Sequence, residues 1–68
     1  MGRNNRRIRL TKKLLAHVPK GLRESYIYWR NCVSEDYRKY GGVGLEVDAE
    51  YRAIRSRIIE FLQQKNLI

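Results

Sequence analysis

The stretch Pro19–Tyr40, PKGLRESYIYWRNCVSEDYRKY, constrains this chain more than any other, and Gly41-Gly42 follows it directly. Within it Leu22, Tyr26, Trp29, Val33, Tyr37 and Tyr40 recur at steps of four, three, four, four and three residues. That rhythm lines one face of an α-helix of period 3.6. Pro19 suits a first helical turn, where its missing N–H costs no hydrogen bond. Gly41 suits the residue just past the end, where a left-handed backbone closes a helix. A helix of about 20 residues is roughly 30 Å long. It carries most of the aromatic side chains, so whatever else folds must fold against it.

Two further segments match that face. In LTKKLLAHV, residues 10–18, Leu10, Leu14, Leu15 and Val18 form an apolar stripe, with Thr11 as N-cap. Pro19 disfavours helical geometry at Val18, so this short helix ends near His17. So short a helix is not stable alone and must dock. After the glycine-rich run GGVGLEV at 41–47, Asp48 is the expected N-cap of a last helix, with Glu50 in its positive first turn. Tyr51, Ile54, Ile58, Phe61 and Leu62 form its stripe, Arg55 and Arg57 border the seam, and Leu45 and Val47 are expected under the hairpin. Leu67 and Ile68 remain as an apolar tail that packs on Leu14 and Leu15 or joins a dimer. The expectation is an all-α fold. A short helix at about 10–17 packs on a long antiparallel hairpin at about 20–40 and 48–65, forming one domain over 10–68. Residues 1–9, MGRNNRRIR, have neither periodicity nor core and are expected to be a disordered arm.

A chain of 68 residues allows one domain. At this size only about 60 % of the unfolded surface is buried, so stability is marginal without close helix packing, self-association or a partner. One cysteine forbids an intramolecular disulfide, and Cys32 with His17 falls short of the four ligands of a structural zinc. No metal or cofactor is therefore expected. His17 reads as a C-terminal histidine easing the helix dipole. A single cysteine, no signal-peptide pattern and no apolar run near 18 residues imply a cytoplasmic protein off the membrane.

Charge points to a partner. The net charge is +8, yet residues 1–20 hold Arg3, Arg6, Arg7, Arg9, Lys12, Lys13 and Lys20 without one acidic residue. Residues 21–68 hold eight basic and seven acidic residues, a net of only +1. A basic segment attached to a nearly neutral body commonly binds a polyanion. The candidate phosphate contacts are those seven residues together with Arg23 and Arg30. About five to seven such contacts imply steeply salt-dependent binding to DNA or RNA. The run Arg3–Arg7 suits a minor groove or an RNA groove. The rings of Tyr26, Trp29, Tyr37 and Tyr40 fall on the core face, so they read as core and not as a stacking platform. Tyr28 is the exception.

Enzymatic function finds little support. No nucleophile–base constellation is present, and Glu35 and Asp36, though adjacent, point to different sides of a helix. The three glycines at 41, 42 and 44 match neither a P-loop nor a dinucleotide fingerprint and read as a helix stop and turn. The alternative is a helical adaptor or inhibitor of a larger protein, docking through Ile27, Tyr28 and Cys32 with the Leu67-Ile68 tail, or a ribonucleoprotein subunit. Small size, a pI near 10.2 and no enzyme site are common among proteins of phages and mobile elements.

Two partial resemblances accompany these readings. Arg7-Ile8-Arg9-Leu10 alternates like a strand. In this it resembles the arm of ribbon–helix–helix repressors, and DAEYRAIRSRIIEFL resembles that family's second helix. The departure is a longer middle helix ended by a glycine-rich loop. Leu22-Arg23-Glu24-Ser25-Tyr26 with Glu50-Tyr51, Ile54 and Ile58-Ile59 resembles the helical-hairpin inhibitors of sporulation histidine kinases, which implies a protein antagonist. That match covers about a quarter of the chain, and the family has shorter helices and no basic arm. Neither resemblance amounts to family membership.

Overall fold

The structure, a computed structural model, describes residues 8–68. Three helices follow one another, α1 (Lys12–Leu15), α2 (Lys20–Tyr40) and α3 (Leu45–Gln64), and the described residues include no strand. The Ile8–Leu10 part of the alternating run is accordingly not a strand.

Helix α1 is a single turn, shorter than the expected 10–17. Thr11 caps it as expected: its backbone is extended and its Oγ1 accepts the Leu14 N–H at 3.2 Å. The helical bonding stops early because Val18 precedes a proline. His17 and Val18 close instead with turn bonds of 3.0 and 3.1 Å to Leu14 and Leu15 carbonyls. One turn cannot stand alone. It is held by burial of Leu15 and Val18 and by the Arg23 guanidinium, which donates to the Leu15 carbonyl at 3.4 Å.

Helix α2 spans 21 residues. Pro19 stands one place before the first turn, with ψ 146°, and its carbonyl accepts the Arg23 N–H at 2.9 Å as the first helical bond. Gly41 ends the helix at φ 74°, donating its N–H to the Tyr37 carbonyl at 3.0 Å. This is the left-handed stop that only glycine adopts without steric cost.

Helix α3 begins three residues earlier than expected, at Leu45, so the loop is only residues 41–44. Asp48 does not cap it. The Asp48 N–H already donates to the Gly44 carbonyl at 2.9 Å, inside the first turn. The capping carboxylate comes instead from the neighbouring helix: Asp36 Oδ2 accepts the Gly44 N–H at 3.0 Å. Asp36, Glu46 and Asp48 all place negative charge near the positive end of α3. At the far end Asn66 takes φ 58°, the Leu67 N–H donates to Leu62 and the Asn66 N–H to Gln63. That pair of bonds is a Schellman closure, with asparagine in the position glycine usually holds. It curls Leu67 back towards the helix and does not let the tail run free.

The pairs Asp36–Gly44 and Tyr26–Tyr51 step in opposite chain directions, so α2 and α3 run antiparallel. Leu15, Val18, Tyr26, Ile58 and Leu62 form the core, with Leu10, Leu14, Leu22, Tyr51, Ile54 and Phe61 packed around it. Ile59, outside the expected stripe, is also buried. Two expectations fail. Tyr37 and Tyr40 share the helical face of Tyr26 but are mostly exposed. Leu45 is 90 % exposed and not tucked under the hairpin, because it is the first residue of α3 and precedes the packed part of the seam.

Candidate nucleic-acid interface

The segment entering α1 does more than precede it. Ile8 is half-buried, and its carbonyl accepts a hydrogen bond from the Arg55 guanidinium of α3. Arg9 follows with its side chain exposed, and its carbonyl accepts the Thr11 N–H at 3.1 Å. The chain from Ile8 to Lys12 therefore lies along the hairpin as a wall. Between this wall and the two long helices is a partly open groove of about 610 Å³.

The groove floor carries Tyr26 and Tyr51, stacked with ring centroids 5.7 Å apart and planes 26° apart. Tyr26 is only 5 % exposed. Its hydroxyl is pushed up from its usual value near 10 to about 12. Burial is the main cause, followed by the hydrogen bond with Tyr51 and the proximity of that second phenol; Arg30 and Arg55 oppose the shift by favouring a phenolate. Among the described residues the charged ones lining the groove are Arg9, Lys12, Arg30 and Arg55, all cations.

The expected phosphate contacts thus separate by environment. Arg9, Lys12 and Arg30 meet at this groove. Lys13 is exposed but does not line it. Lys20 sits 4.0 Å from Glu24 in a solvent-exposed pair, which contributes little. Arg23 is half-buried against α1. Arg3, Arg6 and Arg7 lie outside the described residues. Arg55 and Tyr51 were not among the expected contacts. The available signal was their spacing, one helical turn apart on the face of α3 that meets Tyr26.

Of the residues considered for protein docking, Ile27, Tyr28, Leu67 and Ile68 are exposed, whereas the Cys32 thiol is half-buried and free of disulfide. The Tyr28 ring stands edge-on to Trp29 at 5.0 Å, so it is braced and not loose. Among the described residues no helix is long and apolar enough to cross a membrane, and no cluster of three or more metal-capable side chains occurs. No known protein family, curated protein or solved structure matches the chain.

Proposed function

We propose that this chain is a small, non-enzymatic nucleic-acid-binding protein that engages phosphates through its basic N-terminal segment. In this reading the basic arm of residues 1–9 engages the polyanion, and the protein works in the cytoplasm. The observation that carries the reading is the groove beside Ile8–Lys12, whose charged lining among the described residues is Arg9, Lys12, Arg30 and Arg55 without a carboxylate. Like charges gathered around one concavity raise the local potential and attract anions. The arm adds Arg3, Arg6 and Arg7 to these, and residues 1–20 contain no acid.

Fluorescence anisotropy with a labelled oligonucleotide tests this. The full chain is expected to bind in the micromolar range at low salt, with affinity falling linearly in log–log against salt. A chain lacking residues 1–9 is expected to lose that binding. Equal binding by both chains would dismiss the arm, and no binding by either would dismiss the function.

A second reading, a helical adaptor for a larger protein, has its own support in the exposed Ile27 and Tyr28 on α2. Capture of a partner from nuclease-treated lysate, lost in an Ile27→Ser/Tyr28→Ser variant, would favour it over the first.

A further inference from the structure

The groove contains more than a diffuse positive field requires. A field-only interface needs cations spread over a surface. Here Arg9, Lys12 and Arg30 come from two separate segments and face a single concavity. Among the described residues none of these three side chains makes an ion pair. Glu24, Glu35 and Asp48 pair elsewhere, and Asp36 is taken by the Gly44 N–H. Among the described residues no carboxylate lines the concavity.

Shape and chemistry narrow the ligand further. A volume of about 610 Å³ falls in the range of small-molecule sites and is far too small to admit a duplex. The buried ring of Tyr26 offers no face on which a base can stack. Beside the aliphatic side chains of Ile8, Leu10 and Leu15, the floor and walls carry guanidinium, ammonium, hydroxyl and phenol groups, all of them hydrogen-bond donors. Arginine forks and phenols suit the oxygens of a phosphate. Arg55, by donating to the Ile8 carbonyl, is a positioning residue that holds the Arg9–Lys12 wall at the mouth.

The geometry points to a single phosphate group of the bound nucleic acid seated in this groove, contacted by Arg30, Arg9 and Lys12 above the Tyr26–Tyr51 pair. This inference rests on the nucleic-acid reading and adds to it a defined seat. The phosphate can be an internal diester or a terminal monoester; the recognising chemistry is the same.

The test uses the full chain and backbone-amide NMR. Inorganic phosphate is titrated first, then one short single-stranded oligonucleotide in 5′-phosphate and 5′-hydroxyl forms. Saturable shifts are expected at residues 8–12 and at Arg30. Arg30→Gln, on an exposed side chain, is expected to weaken phosphate binding about tenfold, in line with losing a charge-assisted hydrogen bond. Lys13→Gln, outside the groove, is expected to change phosphate binding little. Tighter binding of the 5′-phosphate form identifies a terminal phosphate, and equal binding an internal one. Equal effects of Arg30→Gln and Lys13→Gln, or shifts spread evenly over Lys13, Lys20 and Arg38, would overturn the seat. Oligonucleotide binding that persists unchanged in Arg30→Gln would leave the function standing without it. Phosphate binding in the groove with no oligonucleotide binding would overturn the nucleic-acid reading while keeping the seat.

Discussion

The two ends of the hairpin are built from the same kinds of residue and reach opposite outcomes. At the end where α1 docks, Leu15, Val18, Tyr26, Ile58, Ile59 and Leu62 are all buried. Towards the loop, from Ile27 to Arg57, no residue is fully buried, and Tyr37, Tyr40 and Leu45 stand exposed. The difference is a third layer. Two helices in contact cover one stripe each and leave their flanks wet; a single added turn, α1, closes the core at one end only. Helical period decides which face of a helix is apolar. Whether that face is buried depends on what else lies over it.

The largest effect that could break this contrast is truncation of the core. Leu62→Ala removes a fully buried side chain and is expected to cost about 2–5 kcal/mol. In a domain this small that is enough to unfold a large fraction of molecules. Thermal denaturation followed by circular dichroism measures it. A loss below about 1 kcal/mol would mean that the docked end is no better packed than the loop end.

Next in size is the alkaline limb of stability, which reports the floor of the groove. The Tyr26 hydroxyl is raised from near 10 to about 12, so the folded chain holds this proton more tightly than the unfolded one. The resulting stability is fully present below pH 10 and is lost as pH rises through 12. Two pH units correspond to roughly 2–3 kcal/mol at most. Tyr26→Phe is expected to flatten the fall in denaturation midpoint between pH 10 and 12 relative to wild type. Parallel curves for the two proteins would show that Tyr26 is not sequestered.

Comparison of the two helix stops sharpens the contrast at the backbone. Gly41 at φ 74° and Asn66 at φ 58° hold the same left-handed position, one beside the loop and one beside the core. A Cβ on Gly41 meets no atom within 4 Å, so Gly41→Ala is penalised by conformation alone, by about 1–2 kcal/mol. Asn66→Gly is expected to be neutral or slightly stabilising. Chemical denaturation of both variants decides whether the loop end carries structural weight despite its exposure. A neutral Gly41→Ala would show that it does not.

Much of this arrangement is legible in the sequence, and the illegible parts share a cause. Pro19, Gly41 and the 22–40 stripe mark α2 almost to the residue, and Thr11 caps α1 as its chemistry suggests. These are local signals, decided within one helical turn. Asp48 looks like an N-cap by the same local logic, but Asp36, eight residues before Gly44 and on another helix, takes the task. The exposure of Tyr37 and Tyr40 and the burial of Ile59 likewise depend on what lies across the seam. At the groove, the cations of the first 20 residues are visible as a charge run. Their meeting with Arg30 and Arg55 needs the fold, because the Arg55–Ile8 contact spans 47 positions. Charge composition thus shows where the cations gather in the chain, and only tertiary contacts say which of them face one groove.

The smaller of the last two effects concerns the loop side alone. Asp36→Asn keeps an acceptor for the Gly44 N–H but removes the charge from the start of α3, and is expected to cost about 0.5–1 kcal/mol. Tyr40→Ser and Leu45→Ser alter two of the most exposed apolar side chains and should fall within about 0.5 kcal/mol of wild type. The pairing of these two results carries the argument. If the loop end is held by caps and seam contacts and not by its apolar surface, the aspartate matters and the larger tyrosine does not. Should Tyr40→Ser in isolation cost more than Asp36→Asn, in a chain whose molar mass by light scattering is that of a monomer, the exposed rings must cover something within the chain. Should the cost appear only above a concentration at which the mass doubles, a second copy supplies the missing third layer at that end.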